Sequence, residues 1–113
     1  MSGRIAKSQI PIRSQSSLPM EARAALIWAK SRLKTGGSLI QFRNQRGRTY
    51  LEGPPLPTPA RGCQYYEFQV GQDRLGDAGR KRFVLEIRTA DRRVMEVYYT
   101  EEHYEKGSFV RIL

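Results

Sequence analysis

The spacing of apolar positions changes character twice along the chain. Residues 1–17 are rich in Ser, Gln, Arg and Lys and show no sustained periodicity, which reads as a flexible basic arm. A helix is then expected from about Ser17. Ala22, Ala25, Leu26, Ala29 and Leu33 recur at helical steps and form one apolar stripe. Pro19 falls in the first turn, Glu21 sits at the positive end, and Lys30, Arg32 and Lys34 lie near the negative end. Gly36-Gly37 stops the helix.

From Ser38 the period becomes that of strands: Leu39-Ile40-Gln41-Phe42, a turn at Asn44-Gln45-Arg46-Gly47, then Arg48-Thr49-Tyr50-Leu51. Gly53-Pro54-Pro55-Leu56-Pro57-Thr58-Pro59 has too many prolines for helix or central strand and reads as a stiff surface loop. Four further strands are expected near 65–70, 81–88, 93–99 and 107–112, joined by turns at 71–79, 90–92 and 101–106. Alternation assigns their faces. Phe83, Leu85 and Ile87 share one side, as do Met95, Val97 and Tyr99, and these are expected to meet the helix. Arg82, Val84 and Glu86 then face away, and Tyr65, Glu67 and Gln69 join them if Tyr66, Phe68 and Val70 turn inward. The fold class is α+β, one N-terminal helix packed on a twisted antiparallel sheet, with residues 18–113 forming a single domain.

Charge sharpens this picture. The 113 residues carry a formal net charge of +9, which points to a polyanionic partner. Residues 1–50 hold ten Lys/Arg against one acid, Glu21, whereas residues 51–113 hold ten of each. The excess therefore lies wholly in the N-terminal half, and basic groups farther on act as individuals. No apolar run approaches the roughly 18 residues of a membrane span, so no membrane partner is expected. The N-terminus shows no signal-peptide core. One cysteine, Cys63, excludes an internal disulfide, and no second histidine exists to activate it as a nucleophile.

The candidate chemistry lies between two aromatic clusters. Tyr65-Tyr66-Glu67 supplies an acid, Tyr98-Tyr99-Thr100-Glu101-Glu102-His103-Tyr104 supplies the only histidine, and Arg80-Lys81-Arg82 lies between them. These are the parts for cleaving RNA without a metal or other cofactor. A carboxylate can take a proton from a ribose 2′-hydroxyl, an imidazolium can give one to the departing 5′-oxygen, and arginines can stabilise the phosphorane charge. Taken singly, Glu67 would more often be a solvated strand carboxylate and His103 an inert loop residue. Their combination favours catalysis.

Several segments resemble the small microbial guanyl-specific ribonucleases, the family that includes barnase. Leu18-Pro19-Met20-Glu21-Ala22 is similar to the family's helix opening, and Glu52-Gly53-Pro54-Pro55-Leu56-Pro57 to its guanine loop with one residue inserted. Tyr65-Tyr66-Glu67-Phe68 and Gly79-Arg80-Lys81-Arg82-Phe83-Val84 resemble its catalytic strands, and Tyr98-Tyr99-Thr100, His103-Tyr104 and Phe109 its histidine motif. The resemblance runs from about Leu18 to the end and implies the microbial ribonuclease fold. It further implies that Glu67 is the general base, His103 the general acid and Arg82 the phosphate-binding arginine. Tyr104 would line the pocket, Glu52 would accept hydrogen bonds from guanine, and Tyr50 would stack on the base. A rival register sets Phe42-Arg43-Asn44-Gln45-Arg46-Gly47 on the guanine-binding run, but it puts Arg46 where the acid belongs. The family's second arginine falls on Ala78, and Arg80 or Arg74 can replace it, with Arg80 favoured.

The expected activity is a guanyl-specific-type endoribonuclease, a hydrolase and lyase acting on single-stranded RNA 3′ to guanosine through a 2′,3′-cyclic phosphate. Such an enzyme is toxic in its own cytosol. Either secretion after processing, or a cytoplasmic life with a tight acidic, barstar-like protein inhibitor, is therefore expected, with the enzyme itself a monomer. The alternative is a catalytically impaired RNA-binding module on the same scaffold, held to RNA by salt-sensitive contacts from the basic arm and helix. A third reading has the basic half docking an acidic protein.

Overall fold

The computed structural model describes residues 6–37, 40–41, 56–71, 81–102 and 108–113. They form β1 (Ile12–Arg13), α1 (Met20–Lys34), β2 (Ile40–Gln41), β3 (Cys63–Gln69), β4 (Arg82–Arg88), β5 (Arg93–Thr100) and β6 (Phe109–Ile112). The sheet order among them is β1-β6-β5-β4-β3-β2, antiparallel throughout except where β1 pairs in parallel with β6. One helix on a mostly antiparallel sheet is the α+β architecture expected from the periodicity. The strand expected at 48–51 and the turn at 44–47 lie outside the described residues.

Helix α1 begins at Met20, slightly later than the expected start near Ser17. Leu18 is extended (ψ 151°) and Pro19 is the N-cap rather than a first-turn residue. The reason is local: a proline ring disfavours helical geometry in the residue before it. Residues 15–17 instead form a separate 3₁₀ turn. At the other end Gly36 takes a φ of 91°, and the Gly36 and Gly37 amides donate to Leu33 O (3.3 Å) and Arg32 O (2.8 Å), a Schellman closure. Ala22, Leu26, Ala29 and Leu33 are buried against Val70, Phe83, Leu85, Ile87, Val97 and Tyr99. Glu21 adds a tie from the helix start to the mouth of β4, since Lys81 Nζ donates to its Oε1 at 2.8 Å.

Two expectations are corrected. Met95 was assigned to the core side but is 40% exposed. Glu86 faces Glu96 while the next residue, Ile87, faces Val94, so β5 carries one extra residue at a β-bulge. The bulge absorbs Met95, and Val94 takes its place against the core.

The second correction concerns the arm. Over residues 6–17 it belongs to the fold: Ile12 and Arg13 pair with Arg111 and Ile112, the Arg111 amide donates to Pro11 O at 2.8 Å, and the Leu113 amide to Arg13 O at 3.1 Å. Ile10 is only 4% exposed and joins Leu56, Tyr65, Val84, Tyr98 and Phe109 in a second apolar cluster on the sheet face opposite the helix. One buried isoleucine and a two-residue strand make no periodic signal. Ile10→Ala is expected to lower stability by about 2 kcal/mol, the low end for such a truncation in a core. A urea melt reads this directly, and no change would restore the picture of a free arm.

Candidate active site

The sheet face away from α1 is built by strict alternation. Opposed residues in adjacent strands share a face, so one row across it reads Glu67, Val84, Tyr98, Arg111, and the next reads Gln69, Arg82, Thr100, Phe109. Glu67 and Arg82 are therefore diagonal neighbours on β3 and β4. Diagonal positions lie about 7–8 Å apart at the backbone, within reach of long side chains. The sequence-based placement of these two on one face holds, and it follows from Tyr66, Phe68, Phe83 and Leu85 packing on the helix side.

The surroundings fix both groups. Glu67 is half-buried and its Oε2 is buried. Arg82, the first residue of β4, is half-buried and donates from Nη1 to Lys81 O at 2.9 Å. The second apolar cluster covers part of the same face as a wall, so the face is not open along its whole length. Tyr98 is fully buried in that wall, edge-on to Tyr65 at 6.1 Å between ring centres, and burial pushes its hydroxyl up to about 12. Tyr65 donates its hydroxyl to Pro57 O at 2.6 Å, which ties the proline-rich loop to the sheet. The wall thus holds this loop at Leu56 and Pro57.

Other ionisable groups on this face serve different partners. Arg111 shares the row of Glu67 but is committed to Glu96, with Nε–Oε2 2.7 Å and Nη2–Oε1 2.9 Å, and Lys7 Nζ adds a contact at 3.3 Å. The hydrogen bond from Arg111 holds the Glu96 carboxyl below its usual range in spite of partial burial. Glu86, only 3% exposed, accepts from the Ala60 amide at 3.2 Å. Desolvation, reinforced by Glu86, raises the Cys63 thiol, which keeps it protonated and a poor nucleophile.

Among the sequence-predicted site residues, the structure brings Glu67 and Arg82 together. Tyr50, Glu52, Arg80, His103 and Tyr104 lie outside the described residues. The chain leading to His103 is nonetheless held by a residue with no role assigned from sequence. Thr100, 1% exposed and directly opposite Arg82, has its Oγ1 2.6 Å from Ser108 Oγ and accepts from the Glu102 amide at 3.0 Å. These bonds tie together the two ends of the segment 103–107. The signal was present in the Tyr-Tyr-Thr run, where alternation turns Thr100 toward the face of Glu67.

Comparison with known proteins agrees with this architecture. The fold is similar to that of ribonuclease Sa2 solved in complexes with mononucleotides, with a TM-score of 0.52 and 20% sequence identity over 92% of this chain and 94% of that one. Ribonuclease Sa2 with guanosine-2′-cyclophosphate matches with a TM-score of 0.50, again at 20% identity, over 92% and 97% of the two chains. No curated protein matches the sequence. A ribonuclease family model matches residues 4–113. That match spans nearly the whole chain and coincides with an acid and an arginine set side by side on the sheet face opposite the helix, so the chain belongs to the ribonuclease family.

Proposed function

We propose that this ribonuclease is a metal-independent endonuclease that cleaves single-stranded RNA 3′ to guanosine. The observation that carries the reading is the diagonal placement of Glu67 and Arg82 on one sheet face. In the first step the Glu67 carboxylate takes the 2′-hydroxyl proton, the 2′-oxygen attacks phosphorus, and His103 as imidazolium protonates the 5′-oxygen as its bond to phosphorus breaks. The product ends are a 2′,3′-cyclic phosphate and a free 5′-hydroxyl. In the second step water opens the cyclic phosphate with the two roles reversed. Arg82, assisted by Arg80, stabilises the charge that builds on the phosphoryl oxygens. Tyr104 lines the pocket.

Guanine preference rests on Glu52 as acceptor for the base and Tyr50 as its stacking partner. Support for it comes from the fold shared with ribonuclease Sa2, a protein solved with a guanosine nucleotide. Activity of this kind fits a toxin, either secreted or kept in check by an acidic barstar-like inhibitor over Glu67, Arg82 and His103, and it fits a monomer.

Cleavage of GpU, ApU, CpU and UpU in the presence of EDTA tests the proposal. Cyclic-phosphate product from GpU well ahead of the others is the expected result. Comparable product from all four would remove the guanine pocket and leave the nuclease. Absence of turnover by folded protein would overturn the enzyme and favour an RNA-binding module on the same scaffold.

A further inference from the structure

Helix α1 has two apolar stripes, and only one of them meets the core. Met20, Ala24 and Ile27 follow one another at steps of four and three on the side opposite Ala22, Leu26, Ala29 and Leu33, with Trp28 beside Ala24. Met20 is 77% exposed, Ile27 61% and Trp28 53%. The inner edge of Trp28 meets Phe68 at 6.2 Å, and the Arg32 guanidinium carbon lies 5.8 Å from its ring centre. Arg23, Lys30 and Lys34 run parallel to the apolar stripe at matching spacing. The only acid on the helix, Glu21, is engaged by Lys81. An outward face with apolar side chains, one tryptophan and several cations is the composition of a helix that lies on an anionic interface.

We infer that this face of α1 docks on the surface of an anionic lipid bilayer. Size separates this occupant from a protein. The face offers about eight residues, against the roughly 20–30 that each partner contributes to a stable protein interface. A bilayer asks for less area: a few apolar side chains enter the headgroup boundary, and each Lys or Arg near an anionic surface strengthens binding roughly fivefold. No described helix is long and apolar enough to cross a membrane, and surface docking needs none. The docked face lies across the sheet from Glu67 and Arg82, so the proposed active site stays turned to water.

Trp28 is the chain's only tryptophan, which makes it an internal reporter. The full chain is titrated with vesicles of phosphatidylglycerol and phosphatidylcholine (7:3) in 0.1 M salt, and with vesicles of phosphatidylcholine alone. A saturable blue shift and gain in Trp28 emission with the anionic vesicles only is expected. In co-sedimentation, Met20→Ser combined with Ile27→Ser is expected to weaken binding at least tenfold although it leaves the net charge untouched. Lys30→Glu combined with Lys34→Glu is expected to reduce binding by a similar factor or more. All four positions are exposed, so the variants retain the fold, as circular dichroism can verify. No emission change with anionic vesicles would overturn the proposal. So would undiminished sedimentation of the Met20/Ile27 variant, because diffuse attraction of a basic protein would then suffice. None of these readouts depends on RNA cleavage.

Discussion

Glu67→Gln and His103→Ala are each expected to lower kcat/KM for GpU by about 10²–10⁴, the range of a positioned acid or base. Glu67 sits mid-strand in β3 with β4 on one side and β2 on the other, opposite Val84 and Ile40. A glutamine there keeps the size and most of the hydrogen-bonding capacity but cannot take the 2′-hydroxyl proton. His103 has no second histidine to replace it. Because the proposed mechanism uses both groups in one step, the double variant should lose little beyond the worse single variant. Melting curves for both variants should match wild type. Retained turnover in either variant, with the fold intact, would remove that residue from the mechanism. Additive losses would mean that the two do not share a step.

What the sequence reveals about this site depends on how each residue is positioned. Glu67 and Arg82 were legible because each lies in a run whose alternate residues, Tyr66 and Phe68 or Phe83 and Leu85, are apolar enough to identify the inner face. Period two then fixes the outer residues without further information. Alternation fails where the strand itself is irregular. Met95 reads as an inward residue by counting from Val97, and a single-residue bulge in β5 reverses that, a backbone event with no marker such as glycine nearby. Contacts between segments distant in sequence were equally invisible. The union of Ile10 with Phe109 and Tyr98, and the closure of the C-terminal edge by Ile12–Arg13, depend on where a polar segment travels after leaving the helix start. Thr100 is an intermediate case, since its face follows from alternation but its bonds to Ser108 and Glu102 depend on how the intervening turn returns.

The outer face also makes a division of labour among arginines, and it leads to the second large effect. Arg111 and Arg82 both point to the Glu67 side of the sheet. Arg111 already forms a two-bond fork with Glu96, whose carboxylate is only 11% exposed at the side chain, so releasing it would strand a largely buried charge. Arg82 shares its row with Gln69, Thr100 and Phe109 and lies diagonal to the proposed base. Arg82→Ala is therefore expected to lower kcat by about 10²–10³, as removal of one preorganised charge donor does, with a smaller change in KM. Arg82→Lys restores the charge but not the planar fork that can meet two phosphoryl oxygens at once, so it should recover only part of that loss. Arg111→Ala provides the contrast: it should lower the melting temperature by freeing Glu96 and change kcat little in protein that remains folded. Steady-state kinetics on GpU with the three variants separates the roles. If Arg111→Ala impaired kcat as severely as Arg82→Ala at equal folded fraction, the phosphate would have to be held nearer β6, and the diagonal of Glu67 and Arg82 would no longer mark the reaction centre.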